Sequence, residues 1–401
     1  MLISLLTGLG SIASAESSLQ IQGHFKSFFS AIRQPATPGA PAEPVKGVVR
    51  TPLRIKAYWP VHEAMSFELG YECIPTVKPT QQTSIWSRLN PEPTAYRVAD
   101  LPTYLYPSSG TPRGTFGLTQ GLDRACINIT LPQADLYIGR QAIAFGSARV
   151  INPTDVLAPF VYEALDTEER LGIDAIRVRK PLGLMGELDA GIAFGDDFAI
   201  RSGAAFLRTR MYLSETDVTL MAMAFQENLL LGVDLTRAVG SAGAFVEAAQ
   251  VWTDAFNSRR SQQDYFRLSL GIDYSFSQGI YTFAEYHLNT AGSSSARNYL
   301  TRPDRVPYTQ GGVYLYGRHY LSPGLTYQAS PLLTVTAQAL INLTDGSAFL
   351  APSAEYSAAE NVVLAAGLFY GLGRQTSTGI APESEFGLYP RIYHTSFRFY
   401  F

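Results

Sequence analysis

Residues 265–276 read YFRLSLGIDYSF, and this stretch decides the fold class because two chemical kinds of residue alternate along it. Every even-numbered position from 266 to 276 is large and apolar or aromatic. The odd-numbered positions carry tyrosine, arginine, serine, glycine, aspartate and serine. Side chains of a β-strand point alternately to opposite faces. The stretch therefore predicts a strand with one apolar face and one mainly polar face.

The carboxy-terminal stretch 391–401, RIYHTSFRFYF, alternates in the same way and ends in phenylalanine. Its aromatic face carries Tyr393, Phe397, Phe399 and Phe401, and its other face carries His394, Ser396, Arg398 and Tyr400. Aromatic residues near strand ends are typical of the interfacial girdles of membrane barrels.

Similar alternation recurs along the whole chain and predicts about 18 strands, within a range of about 16–20, since element boundaries are the least certain part of such an interpretation. An even number of strands lets both ends of a single-chain barrel lie on the same side. The fold class predicted is all-β: a closed antiparallel transmembrane β-barrel. The segments are 18–30, 48–59, 63–74, 122–131, 134–143, 172–180, 185–195, 202–213, 216–226, 229–238, 242–252, 264–276, 279–289, 315–328, 331–342, 347–358, 361–371 and 391–401.

The long connections between these segments all fall on one side of the predicted barrel. Every second connection is short and rich in turn residues, reading PVHE, PQ, PLGL, SET, VGSA, SQG, SP and AAE. A soluble array of strands has no reason to sort its loops in this way, so the sorting favours a barrel with short periplasmic turns and long extracellular loops. The long loops are 31–47, 75–121, 144–171, 253–263, 290–314 and 372–390.

Residues 1–15, MLISLLTGLGSIASA, form an apolar stretch that ends in the small-x-small pattern of a signal-peptidase site. We expect a signal peptide at 1–15 and a single barrel domain at 16–401. Strand-like sequence begins almost directly after the expected cleavage site, which leaves no room for an amino-terminal plug domain.

Composition and motifs exclude several classes of function. The chain has 31 Lys+Arg against 34 Asp+Glu, a net charge of -3, which does not suit a nucleic-acid-binding protein. It contains no GxSxG, HExxH, P-loop or CxxC motif, and its five histidines are scattered. We therefore expect no enzyme activity, no catalytic residue, no metal site and no cofactor.

The first candidate functional residues are charged residues at the alternate strand positions that are predicted to face the lumen. Three consecutive strands carry a charge ladder, and two interpretations stay open: the ladder orients a permeant solute, or its members pair across strands and stiffen the wall. The ladder consists of Arg177, Arg179, Glu187, Asp189, Arg208 and Arg210. Other basic residues at predicted lumen-facing positions are Lys26, Arg54, Lys56, Arg267 and Arg398. Other acidic residues at such positions are Glu68, Glu72, Asp234, Asp273 and Glu285.

The third long connection carries its own apolar anchors and an acidic stretch. The segment 139–172 reads GRQAIAFGSARVINPTDVLAPFVYEALDTEERLG. A long loop with apolar residues of its own is not expected to lie entirely in solvent. With its strand pattern, loop sorting and terminal aromatic, the chain after residue 16 resembles the Gram-negative outer-membrane β-barrel porin superfamily. The stretch Gly139 to Pro159 is similar to one found in several proteobacterial barrels.

The resemblance implies a role for this loop. In general porins the third outward loop folds into the lumen and sets acidic residues against basic wall residues. Carried over by position, Asp155, Glu163 and Asp166 are constriction-loop candidates that would face the ladder arginines. The chain lacks the PEFGG loop signature of general porins.

The leading functional hypothesis is a porin, a passive diffusion channel for small hydrophilic or charged solutes in the bacterial outer membrane. The alternative is a barrel sleeve that holds a separate periplasmic or multihaem partner across the membrane, which would need a wide lumen with no inward loop. A third hypothesis, a carrier of apolar molecules, normally requires an amino-terminal hatch and ranks last.

The expected partners follow from the leading hypothesis. They are the lipid bilayer, lipopolysaccharide and small hydrophilic solutes, with no nucleic acid. A homo-oligomer stays an open alternative.

Overall fold

The fold is an antiparallel barrel in which each strand pairs with the next barrel strand along the chain. A computed structural model describes residues 18–35, 44–79, 96–107, 114–159, 162, 164–257, 262–375 and 382–401. The strands in these residues are β1 Gln20–Arg33, β2 Lys46–Arg50, β3 Leu53–His62, β4 Met65–Val77, β5 Tyr104–Tyr106, β6 Phe116–Leu131, β7 Ala134–Gln141, β8 Ile173–Leu182, β9 Gly186–Ala193, β10 Ala204–Leu213, β11 Thr216–Phe225, β12 Asn228–Val239, β13 Ala242–Trp252, β14 Tyr265–Phe276, β15 Ile280–Asn289, β16 His319–Ser330, β17 Leu333–Asn342, β18 Ser347–Ala359, β19 Val362–Leu372 and β20 Arg391–Tyr400.

The ring closes where β1 pairs with β20, from His24 opposite Tyr400 to Arg33 opposite Arg391. β2 and β3 together form one barrel strand, since both keep the same register on β1 and only Thr51 and Pro52 separate them. The interruption has a local cause, because proline has no N–H to donate to the ladder. The three-residue β5 only borders β6. The predicted closed antiparallel barrel is thereby confirmed, with 18 barrel strands.

The two faces of each strand differ as the alternation predicts. On β14, Leu270 and Ile272 point outward and are 41% and 61% exposed. Arg267 and Ser269, on the opposite face of the same strand, are 2% and 0% exposed. An outward apolar face with an inward polar face suits lipid outside the barrel. Closure pairs the backbone polar groups of the strands within the protein, as a bilayer requires.

The connections on one side are turns of two or three residues, and the long ones all leave the other side. The described helices lie in the long connections: the α-helix α1 Val306–Thr309 and the 3-10 turns Asp196–Phe198, Ile200–Ser202, Ala296–Thr301 and Phe386–Leu388. None of the helices in the described ranges is long and apolar enough to cross a membrane. The predicted signal peptide, residues 1–15, lies outside the described residues.

Two predicted boundaries are wrong. The strand expected at 315–328 begins only at His319, because the aromatic residues before it turn into the barrel, where Tyr314 and Tyr316 are buried. The strand expected at 122–131 begins at Phe116, because its first residues continue the pairing with β4 up to Val77. In the first case apolar residues were buried by tertiary packing, and in the second the strands extend beyond the alternating region.

Candidate functional site

The connection between β7 and β8, residues 142–172, passes through the interior of the barrel, and we call it the crossing loop. Its first half is held by a wall carboxylate on β13. The fully buried Glu247 accepts hydrogen bonds from the backbone N–H groups of Ser147 (3.1 Å), Ala148 (3.2 Å) and Thr154 (2.8 Å). The Thr154 hydroxyl donates a further bond at 2.7 Å. Several donors converging on one carboxylate compensate the desolvation of its charge.

A second wall carboxylate repeats this arrangement on β15. Glu285 accepts the backbone N–H groups of Arg149 (2.7 Å), Val150 (2.9 Å) and Ile151 (3.0 Å). The Arg149 guanidinium reaches Asp273 on β14 at 2.6 Å. The backbone of residues 147–154 is therefore wrapped around two acids of the wall rather than around its own side chains.

Gly146 allows the crossing loop to approach the wall so closely. Its φ is +92°, a backbone conformation that residues with a side chain rarely adopt. A Cβ at this position would lie 2.5 Å from Oε2 and 2.6 Å from Oε1 of Glu247. Both the conformation and the space at residue 146 thus require glycine.

The second half of the crossing loop is held by basic residues on the opposite side of the ring. Lys26 on β1, whose side chain is fully buried, lies 2.8 Å from Oδ2 of Asp166 and 2.8 Å from Oε2 of Glu168. Arg398 on β20 lies 3.3 Å from Glu168. Glu169 pairs with Lys56 on β3. The wall is thus acidic where it binds the first half of the loop and basic where it binds the second half.

The pKa values of the loop carboxylates follow from these contacts. Burial raises the pKa of Asp166, but the hydrogen bonds and charge of Lys26 outweigh it and bring the pKa below its ordinary value. The pKa of Glu168 is lowered in the same way, with the Tyr400 hydroxyl as a further donor. For the deeply buried Asp155, burial prevails over its partner Arg170 and raises the pKa.

On one side of the crossing loop the lumen is filled with apolar side chains. Phe145 and Leu157 of the loop pack in one cluster with Phe206 on β10 and with Met221 and Met223 on β11. The rings of Phe145 and Phe206 lie 5.1 Å apart, edge to face. Apolar side chains therefore occupy the lumen where the loop meets β10 and β11.

On the other side, toward β14 and β17, a polar cavity of about 400 Å³ remains between the loop and the wall. We call this cavity the eyelet; its lining includes Arg149, Asp155, Tyr162, Arg170, Arg267 and Gln338. Arginines outnumber carboxylates in this lining, since Arg149, Arg170 and Arg267 face the single acid Asp155. Arg267 is 2% exposed and donates a hydrogen bond of 3.4 Å to the Pro153 carbonyl. Within the described ranges it forms no ion pair with a carboxylate.

The predicted charge ladder is found on β8, β9 and β10. Arg177 forms a bidentate ion pair with Asp189, with hydrogen bonds of 2.8 and 2.7 Å, and Arg208 lies 3.8 Å from the same carboxylate. Arg179 lies 2.5 Å from Glu187. Arg210 is exposed and has no ion-pair partner in the described part of the chain. The ladder strands lie away from the eyelet, which opens toward β14 and β17.

The structure separates two of the three constriction-loop candidates, Asp155 and Asp166, from the ladder. Asp166 is paired with Lys26, and Asp155 with Arg170 of the loop itself, so both contact basic groups other than the four ladder arginines. The expected pairing fails because the crossing loop runs from β12–β15 to β20, β1 and β3, whereas the arginines lie on β8 and β10. Glu163 lies outside the described residues.

Sequence reasoning missed Glu247 as a lumen residue. The surrounding strand, AGAFVEAAQVW, has alanine on both faces, so its alternation does not reveal which face is inward. The alternation predicts that Lys26, Arg267 and Glu285 face the lumen, but nothing in the sequence links them to the crossing loop. A cluster of several backbone donors on one acid leaves no sequence signal.

The fold resembles solved outer-membrane channel structures at low sequence identity. OccAB2 of Acinetobacter baumannii matches with a TM-score of 0.57 and 10% identity, over 96% of this chain and 98% of that chain. OccK9 (OpdG) of Pseudomonas aeruginosa matches with 0.56 and 10%, over 96% and 98%. OpdK of P. aeruginosa, solved with vanillate, matches with 0.54 and 9%, over 95% and 98%.

No protein-family model and no curated protein sequence matches this chain. The structural likeness shows that the chain has the fold of the Occ/Opd outer-membrane porins, which confirms the predicted porin-type barrel. Barrels of this class reside in the bacterial outer membrane.

Proposed function

We propose that this protein is a porin, a passive diffusion channel that carries small hydrophilic or charged solutes across the bacterial outer membrane through the eyelet. The observation that carries the proposal is the crossing loop, which is tied to both sides of the ring and leaves a polar cavity of about 400 Å³ beside it. A polar opening of this size inside a lipid-facing barrel admits small solutes and excludes folded proteins.

The charges around the eyelet support a weak preference for anions. Rings of one charge sign favour permeant ions of the other sign, and the effect is stronger beside a low-dielectric wall. Arg149 and Arg170 each have a carboxylate partner, whereas Arg267 lacks one among the described residues, so the excess is positive but small. OpdK, one of the similar structures, was solved with vanillate, which is an organic anion.

The same proposal gives the barrel an orientation. The long-loop side is extracellular, the short turns face the periplasm, and residues 1–15 are a cleaved signal peptide. The ladder from Arg177 to Arg210 then lies toward the periplasmic ends of β8, β9 and β10, apart from the eyelet, and Arg210 is exposed. The bilayer and lipopolysaccharide surround the barrel.

The crossing loop weighs against the sleeve hypothesis. A sleeve needs a wide lumen in which a partner protein is seated, and here loop residues and an apolar cluster occupy the interior. The channel is therefore the better account of this interior.

Conductance of the purified barrel in a planar bilayer tests the proposal. We expect ion currents from the protein alone and, in a salt gradient, a reversal potential that indicates anion preference. Arg267→Gln should move the reversal potential toward cations. Arg210→Gln, which removes an equal charge from an exposed position, should move it less because water and salt screen that position. A pure, folded barrel that carries no current would rule the channel out and favour the sleeve.

A further inference from the structure

Three segments on the long-loop side meet at one buried carboxylate, Glu385. It lies in the connection between β19 and β20, and its side chain accepts the backbone N–H of Tyr316 at 2.8 Å. It also accepts the Tyr320 hydroxyl at 2.5 Å and the Asn342 side-chain amide at 2.7 Å. Glu385 is 4% exposed. One acid therefore joins the connection that precedes β16, the last residue of β17 and the connection that precedes β20.

A second carboxylate lies beside the first. Asp345 accepts the backbone N–H of Glu385 at 2.8 Å, the amide of Asn342 at 3.2 Å and the Tyr299 hydroxyl at 3.0 Å. The amide nitrogen of Asn342 thus lies within hydrogen-bond distance of both acids. Two carboxylates this close inside a protein favour a form in which one of them keeps a proton, since like charges repel strongly there.

This pair of acids is connected to the eyelet through aromatic contacts. Phe386, the next residue after Glu385, and Tyr389, four residues after it, lie with their ring centres 5.9 and 6.3 Å from the ring of Tyr162. Tyr162 belongs to the crossing loop and lines the eyelet, where Tyr314 lies 5.7 Å from it. The position of segment 382–390 therefore fixes the position of one edge of the opening.

We propose that Glu385 is a positioning residue for the eyelet: protonated, it holds segment 382–390 against Tyr162, and when it ionises the segment loosens and the opening widens. The proposal rests on the proposed channel function for its effect on solutes, whereas the loosening itself is a property of the fold.

The groups around Glu385 favour its protonated form in the closed arrangement. The titratable groups that face it are Asp345 and the tyrosines Tyr299, Tyr308 and Tyr320. Within the described ranges it forms no ion pair with a lysine or arginine. Burial, with the charge of Asp345, raises the pKa of Glu385 to about 7.

The sign of the effect follows from this raised pKa. The closed arrangement is fully stabilised below the ordinary value of 4.5 and loses that stabilisation as the pH rises through about 7. Across this range the ratio of closed to loosened forms falls by roughly a hundredfold.

Single-channel recording between pH 5 and pH 9 tests the proposal. The wild type should show a higher and noisier current at alkaline pH, with a midpoint near 7. Glu385→Gln, which cannot ionise, should keep the acid-side current at every pH. Tyr320→Phe removes a donor to the ionised acid and should move the midpoint to higher pH. Glu360→Gln, at an exposed turn on the opposite side of the barrel, should keep the wild-type profile.

Hydrogen exchange provides a readout that does not depend on conduction. After correction for the intrinsic rate, protection of segments 312–318 and 382–390 should fall with rising pH in the wild type and stay constant in Glu385→Gln. Equal pH profiles of the wild type and Glu385→Gln in both measurements overturn the proposal. Absence of current at every pH, with the exchange difference present, contradicts the channel function and leaves the role of Glu385 intact.

Discussion

The Lys26 ammonium group on the first strand lies 2.8 Å from Oδ2 of Asp166 in the crossing loop, 140 residues further along the chain. The Lys26 side chain is fully buried, and its other carboxylate partner, Glu168, belongs to the same loop. A buried ammonium group needs such partners because its desolvation is otherwise uncompensated. This contact therefore fixes the end of the crossing loop to the wall next to the seam between β1 and β20.

Replacement of Lys26 by methionine should release this end of the loop. Methionine keeps a side chain of similar length but leaves Asp166 and Glu168 without their main cationic partner. We expect a higher single-channel conductance with larger fluctuations, because the loop then samples more of the lumen. Planar-bilayer recording measures both quantities. Lys180→Met, an exposed position at the end of β8, should behave like the wild type. Identical currents in the Lys26 variant would mean that this ion pair does not hold the loop.

Acid should produce a similar release in the wild type. The pKa values of Asp166 and Glu168 are lowered by Lys26. Carboxylates with lowered pKa values stabilise the closed arrangement above their ordinary pKa and lose this effect as the pH falls through the lowered value. The current should therefore rise as the pH falls below about 4, the ordinary range of carboxyl groups. Comparison of currents at acid and neutral pH checks this, and the Lys26→Met variant should respond less. A current that does not change down to the acid limit of folding contradicts the role of these two acids.

Gly146→Ala should destabilise the barrel interior more than an alanine at a comparable glycine. A left-handed backbone costs a residue with a side chain about 1–2 kcal/mol. Gly240 has a φ of +63° and open space around it, so Gly240→Ala measures that cost alone. Gly146→Ala adds the clash with Glu247 and should also disturb the conductance. Urea-induced unfolding from lipid vesicles gives both free energies of unfolding. Equal losses in the two variants would show that the close approach to Glu247 is unimportant.

Leu270→Arg tests the lipid-facing side. Leu270 points outward, and arginine near the bilayer midplane of a barrel costs about 2–4 kcal/mol. Gln338→Arg places the same side chain in the polar eyelet and should cost less while it lowers the conductance. Ser269, the direct neighbour with inward parity, is no suitable control because it is fully buried against the Ile151 carbonyl. Folding yield into vesicles and the unfolding free energy measure the difference. Equal losses in Leu270→Arg and Gln338→Arg would mean that the outward face is not in lipid.

The pattern of residues along the chain is enough to predict the strands, their faces and the side from which the long loops leave. These features depend on local physics: the two-residue period of a strand, the turn residues between strands, and the opposite preferences of lipid and water. Residues 265–276 illustrate this, since the predicted apolar and polar faces are the outward and inward faces of β14. The even number of strands followed from the same pattern.

Which of the inward charges meet depends on tertiary contacts that the local pattern does not contain. Lys26 and Glu285 have the same parity signal as the ladder arginines, yet they hold the crossing loop and the arginines do not. Such contacts depend on how strands far apart in sequence face each other after ring closure, and on the path of a loop whose donors are backbone N–H groups. Backbone groups are alike at every residue, so a sequence carries no sign of which carboxylate they will bind. The burial of Tyr314 and the position of the eyelet have the same origin, because both are set by what the closed ring surrounds.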